Sequence, residues 1–224
     1  MVSGVDTLKT DLRHYLKHFK NHIDNNLCDT LVHEMKTIEF SQHKFHNPIT
    51  GEFKTRSGSK ELSISYDDCP SRSILSERIW YIIKDYLHYV DMPWFTRWSG
   101  YTIPRFNKYD EDKKMALHCD HIQSMFDGER KGIPVLSVLG VLNDDYKGGE
   151  FIMFDDTEIK FDKGDVLVFP SLFLYPHKVE PVKSGTRYSY ISWVWEMIVK
   201  LIDKMGSDLS VVNAARVSFA KKSN

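Results

Sequence analysis

The stretch DVLVFPSLFLYPHKVEPVKSGTRYSYISWVW, residues 165–195, decides the fold. It contains three runs rich in Val, Ile, Phe, Tyr and Trp, at 165–169, 177–182 and 186–195, separated by Pro170-Ser171 and by Lys183-Ser184-Gly185. β-Branched and aromatic residues bounded by turn formers predict strands. Working back towards the N-terminus, similar runs occur at 157–161, 149–154, 134–142, 115–120 and 100–108. Turn signals fall between them at Asn143-Asp144-Asp145, Lys147-Gly148-Gly149 and Lys163-Gly164-Asp165. Short strands at this spacing predict an all-β sandwich or barrel.

Before Gly100 the period changes. Leu8, Leu12, Leu16, Phe19 and Ile23, then Leu27, Leu31, Val32 and Met35, recur at helical spacing and predict two helices within 6–37, with Asn25 or Asn26 as the cap between them. Lys17, His18, Lys20 and His22 read as a solvated helix face. Ile74, Ile79, Ile82, Ile83 and Leu87 predict a further helix over 73–90. The polar, turn-rich residues 41–72 are a candidate substrate lid. Trp94, Phe95, Arg97 and Trp98 are candidate substrate contacts, with packing between helix and sheet as the simpler role. The expected fold class is mainly β with N-terminal helices (α+β). The expected organisation is a helical support and lid region over 1–99, a β core over 100–196 in the same domain, and an appendage over 197–224.

Bulk properties narrow the function classes. A formal net charge of −1 gives no reason to expect a nucleic-acid or membrane partner. Three scattered cysteines, Cys28, Cys69 and Cys119, argue against a disulfide framework and fit a reducing compartment. Charges run through the first twenty residues, so no signal peptide is read there. The expectation is a cytoplasmic protein, in host cytoplasm if viral.

The chemistry is concentrated in His118-Cys119-Asp120. On a strand, His118 and Asp120 share a face and Cys119 takes the other. A second imidazole from another strand would complete a facial triad of two histidines and one carboxylate, which leaves metal positions open. His177 is the candidate third ligand. Arg187 and Ser189 lie on one face of the following strand. A guanidinium is a planar two-pronged donor matched to a carboxylate, such as the distal end of 2-oxoglutarate. Tyr109 is placed to add a phenolic hydrogen bond. His121 would point away from the triad, Gly148-Gly149-Glu150 reads as a hairpin turn, and Trp193 and Trp195 share the Arg187 face.

RFNKYDEDKKMALHCD (105–120), VLNDDYKGGEFIMF (141–154), KGDVLVFPS (163–171) and PHKVEPVKSGTRYSYISWVW (176–195) resemble the prolyl-4-hydroxylase-like 2-oxoglutarate dioxygenases. The resemblance implies a double-stranded β-helix (jelly-roll, cupin-like) core over 100–195. It implies that His118, Asp120 and His177 bind Fe(II). It also implies that Tyr109 and Arg187 hold 2-oxoglutarate, with Ser189 completing an Arg-x-Ser pattern. Fe(II), 2-oxoglutarate and O2 are the implied cofactors and co-substrates, with ascorbate as a candidate accessory. The implied reaction hydroxylates an aliphatic carbon, releasing succinate and CO2. Related halogenases carry a small residue where Asp120 stands, so the carboxylate points to hydroxylation. The substrate class stays open between a prolyl or other peptide side chain and a free amino acid, small metabolite or nucleobase. A non-catalytic metal-binding β-sandwich is the alternative from another class.

The last 28 residues, MIVKLIDKMGSDLSVVNAARVSFAKKSN, resemble the extreme N-terminus of flavin-dependent thymidylate synthases. Two adjacent genes joined, as in a compact viral genome, is the expectation. An ordinary helical extension is the alternative.

Overall fold

A strand that buries both faces reads as a near-continuous apolar run, and PVLSVLGVL is such a run. In the computed structural model it forms Ile133–Val141, at the middle of the main sheet. The structure describes residues 11–46, 53–54, 60–91, 100–120, 133–154 and 156–196. In chain order the elements are β1 (Lys17–Phe19), α1 (Asn25–Met35), β2 (Ser41–Gln42), β3 (Phe45–His46), β4 (Phe53–Lys54), β5 (Ser63–Ser65) and α2 (Arg72–Val90). Next come β6 (Gly100–Tyr101), β7 (Arg105–Tyr109), β8 (Met115–His118), β9 (Ile133–Val141), β10 (Lys147–Gly148) and β11 (Phe151–Met153). The last are β12 (Thr157–Ile159), β13 (Val166–Pro170), β14 (His177–Val179), β15 (Val182–Ser184) and β16 (Arg187–Glu196).

The main sheet runs β1-β13-β9-β16-β7-β5-β2, with β6 also paired to β16. A second sheet runs β12-β11-β14-β8. All of these pairings are antiparallel. Period-two alternation then divides the apolar side chains into two layers. Leu136 and Val138 of β9, Val166 and Val168 of β13, and Tyr190 and Val194 of β16 pack with Leu27, Leu31, Leu75, Ile79 and Ile82 of the helices. Leu139, Leu167, Phe169 and Ile191 turn the other way, towards Met115, Phe151, Met153 and Val179 of the small sheet. The helices thus back the main sheet, while the space between the sheets receives the candidate ligands.

Gly140 permits one close approach in the helix-side layer. Its register partner is Tyr190, and a Cβ built on Gly140 would lie 2.2 Å from that ring. Gly140→Ala is therefore expected to destabilise the protein by about 1–3 kcal/mol through overpacking. Urea unfolding reads this directly, and an unshifted midpoint would refute it.

The structure corrects several boundaries. No helix covers 12–19: Leu12–Tyr15 is a short 3-10 turn, and β1 pairs with β13. The helical spacing misleads because these apolar residues serve two layers. Leu12 and Leu16 pack against the inter-sheet cluster, while Phe19 packs against the helix-side one. His18 and Lys20 do not form a solvated face, because their side chains meet the buried carboxylate of Asp165 at 2.9 and 2.8 Å. The cap of α1 is Asp24, whose Oδ1 accepts from Leu27 N–H at 2.9 Å, and not Asn25 or Asn26.

The expected strand 100–108 divides around Thr102–Pro104, and 177–182 divides at Glu180-Pro181. Proline donates no backbone hydrogen bond to a ladder. Lys147-Gly148, read as turn, forms the short strand β10 against β15. Strand β8 stops at His118 rather than Asp120, because its partner β14 begins opposite, at His177. Residues Trp94, Phe95, Arg97, Trp98 and His121, parts of the 41–72 region and the tail 197–224 lie outside the described residues. Among the described residues no helix is long and apolar enough to cross a membrane.

Candidate metal centre

Register brings the two histidines together. His118 at the end of β8 is the direct cross-strand partner of His177 at the start of β14, and their ring centroids are 4.3 Å apart. Asp120 sits in the bend after β8. Its Oδ1 lies 3.5 Å from His118 Nε2 and 3.9 Å from His177 Nε2. One ligand atom from each of the three residues falls within 4.8 Å of the other two, and this is the metal-competent His/Cys/Asp/Glu group among the described residues.

The remaining ring nitrogens fix the orientation. His118 Nδ1 donates to Ala116 O at 2.8 Å, and His177 Nδ1 donates to Tyr175 O at 3.1 Å. With both Nδ1 atoms carrying the proton, both Nε2 lone pairs face the carboxylate, as metal ligation requires. Burial pushes His177 down to about 4, helped by the neighbouring His118, so the imidazole is neutral near pH 7. Phe151 and Phe169 pack against its ring, at 5.4 and 5.1 Å between centroids. Burial alone would raise the Asp120 carboxyl. The imidazoles whenever they are protonated (His118 first, by its hydrogen bond) and the Ser137 hydroxyl act the other way and lower it below the usual carboxylate range.

Ser137 was not visible as a site residue in the motif reading. Its hydroxyl donates to Asp120 Oδ2 at 2.6 Å and lies 2.7 Å from Ser171 Oγ. With the Ser137 proton committed to Asp120, Ser171 donates to Ser137. The only signal in the sequence was a lone serine inside the apolar run of β9, where a buried hydroxyl needs a partner. Outer partners of metal ligands affect affinity by about 10–100-fold, so Ser137→Ala is expected to weaken Fe(II) binding by about that factor. Metal titration checks it, and unchanged affinity would remove Ser137 from the site.

The other candidates lie deeper between the sheets. Arg187 opens β16 opposite Tyr109, with its guanidinium carbon 5.1 Å from the Tyr109 ring centre. Both are buried, Arg187 to 1% exposure. Burial, the largest influence, raises the Tyr109 hydroxyl and keeps it a proton donor. Arg187 Nη1 donates to Ser189 Oγ at 3.0 Å, while its Nε and Nη2 have no hydrogen-bond partner. Gly149 leaves room for the Arg187 stem: a Cβ there would stand 3.1 Å from Cδ, at a φ of +68° that favours glycine. The hairpin reading of Gly148-Gly149 missed this role. The triad opens on a cavity lined by Tyr109, Leu139, Ile191, Phe151 and Trp193 among others, and Arg187 adjoins it through the Tyr109 ring. Trp193 therefore lines the site.

A sandwich of this form brings two histidines and a carboxylate together between its sheets, a donor set suited to a non-heme metal centre with open positions. Residues 104–195 match the model of the 2OG-Fe(II) oxygenase superfamily. A PKHD-type hydroxylase of Alteromonas mediterranea is 32% identical over 102 residues, covering 42% of this chain and 44% of that protein. One from Xylella fastidiosa is 33% identical over 112 residues, covering 42% and 45%. The chain thus spans less than half the length of the curated relatives it matches. The viral collagen prolyl hydroxylase of Paramecium Bursaria Chlorella virus-1 superposes with a TM-score of 0.60 at 16% identity, over 82% of this chain and 96% of that one. A Pseudomonas putida prolyl-4-hydroxylase gives 0.58 at 18%, over 82% and 93%. These two likenesses establish the double-stranded β-helix fold.

Proposed function

We propose that this protein is an Fe(II)- and 2-oxoglutarate-dependent hydroxylase of an aliphatic carbon, in a prolyl or other residue of a peptide. The observation that carries the reading is Arg187. A guanidinium buried with two open donors is costly unless an anion takes them up. It packs on the ring of Tyr109, which lines the cavity of the His118, Asp120 and His177 cluster. A dicarboxylate that reaches from metal to arginine fits both ends.

On this reading His118, Asp120 and His177 hold Fe(II), and Arg187, Ser189 and Tyr109 hold the distal carboxylate of 2-oxoglutarate. With 2-oxoglutarate and O2, the bound iron supplies the oxidising power for C–H hydroxylation, with succinate and CO2 as products. The chain's own residues do the positioning. The Ala116 and Tyr175 carbonyls hold the imidazole orientations, and Ser137 holds the carboxylate. Leu139, Phe151, Phe169 and Ile191 keep water from the space between the ends, which strengthens the charge interactions there. The peptide assignment is supported by the prolyl hydroxylases among the structural relatives.

The direct test is succinate formation from 2-oxoglutarate by protein reconstituted anaerobically with Fe(II) and then exposed to air, with and without proline-containing peptides. Peptide-stimulated succinate and a mass gain of one oxygen on the peptide are the expected result. Stoichiometric iron with no succinate under any condition would leave a metal-binding sandwich instead.

A further inference from the structure

We propose that Arg105 is the anchor for the primary substrate, and that this substrate carries a carboxylate. The inference rests on the reading above, in which 2-oxoglutarate takes the Arg187 end. Strand β7 turns Arg105, Asn107 and Tyr109 to the cavity, while Phe106 packs on the helix side. Register sets Tyr109 opposite Arg187 and Arg105 opposite Ile191. Four residues of strand separate the two levels, about 13 Å at the usual rise.

The metal cluster belongs to the Arg105 end. Ser137, the hydroxyl donor to Asp120, is the register partner of Trp193, and the Arg105 guanidinium carbon lies 5.1 Å from the Trp193 ring centre. Arg105 therefore lines the same cavity as the triad, at a level on β16 between Arg187 and Trp193.

Arg105 is held but not satisfied. Its Nε donates to Asn107 Oδ1 at 3.1 Å, and its plane is supported by the indole. Among the described residues neither Nη has a hydrogen-bond partner, and no carboxylate lies within ion-pair distance. A fixed, half-buried guanidinium with a free planar pair of donors is matched by a carboxylate, which takes two parallel hydrogen bonds.

The test is calorimetric, so it does not depend on turnover. The full chain is loaded anaerobically with Fe(II) and 2-oxoglutarate. It is then titrated with N-acetyl-L-proline and N-acetyl-L-leucine, each as free acid and as amide. The blocked dipeptides Ac-Pro-Glu-NH2 and Ac-Pro-Gln-NH2 separate a side-chain carboxylate from a terminal one. In at least one pair the carboxylate member is expected to bind about tenfold tighter or more, the size of a charge-assisted pair of bonds. That preference should fall to near unity in Arg105→Gln and survive in part in Arg105→Lys, with thermal melts showing that both variants fold. Equal binding of acids and amides, no binding of any acid, or a preference that survives Arg105→Gln would overturn the anchor. A control titration keeps the two readings apart. 2-Oxoglutarate binding without acid preference removes the anchor alone, whereas failure to bind 2-oxoglutarate removes the functional reading with it.

Discussion

His177→Ala is expected to lose stoichiometric Fe(II) and, with it, all 2-oxoglutarate turnover. His177 supplies the only candidate ligand from β14; His118 and Asp120 both come from the β8 segment, two residues apart. Without the second imidazole the cluster keeps one neutral nitrogen and one carboxylate, a set that many surface sites offer. Loss of an outer partner costs about 10–100-fold in metal affinity, and loss of the ligand itself should exceed that. The substitution also empties a space between Phe151 and Phe169, which costs on the order of 2 kcal/mol of stability. A His177→Gln companion fills most of that volume, so loss of iron in both variants separates ligation from packing. Iron content after anaerobic reconstitution and desalting is the primary measurement, with succinate as the second. Retention of one iron per chain in both variants would sink the assignment of His177.

Much of this site was legible because a strand repeats every two residues. Once 115–120 and 186–195 read as strands, His118 shared a face with Asp120, and Arg187 with Ser189. The structure keeps both pairs together even though β8 ends at His118. What the period could not give was register. That His118 faces His177, and that Tyr109 faces Arg187, depends on which strands pair and where, a long-range property. Ser137 stayed hidden for the same reason: its partner Asp120 is 17 positions away and comes from the opposite sheet. Arg105 was quoted within a motif but had no role until its neighbours Trp193 and Asn107 were in place.

The misread helix at 12–19 has a different cause. Leu12, Leu16 and Phe19 recur at three and four residues, a spacing that fits one helix face. The chain instead distributes them between two packing layers and adds a strand to the edge of the main sheet. Tertiary context overrides local spacing when the edge strand β13 needs a partner. Asp165 fixes that choice: His18, Lys20 and the backbone N–H groups of Asn21 and Asp162 converge on its carboxylate. No short-range pattern announces a carboxylate that is satisfied from nearly 150 residues away.

Arg187→Met is expected to make the ligand-free protein more stable while it all but abolishes 2-oxoglutarate binding. The guanidinium is buried to 1% exposure, and one of its nitrogens is bonded, to Ser189, while Nε and Nη2 have no partner. Unsatisfied buried polar groups cost about 1–3 kcal/mol each, more when charged. Methionine occupies similar space without that cost, so the melting temperature of the metal- and ligand-free protein should rise by several degrees. The same two open donors are what the distal carboxylate of 2-oxoglutarate would use. Charge-assisted hydrogen bonds contribute about 1.5–3 kcal/mol each, so losing both should weaken 2-oxoglutarate binding by at least about 100-fold. The two effects have opposite signs, and that separates a binding role from a structural one. A structural arginine would lower stability when removed and leave affinity nearly unchanged. Scanning calorimetry with and without 2-oxoglutarate measures both at once. Wild-type protein should gain melting temperature on adding the ligand, as binding to the native state requires, and the variant should not. A variant that melts earlier yet still responds to 2-oxoglutarate would take Arg187 out of the site.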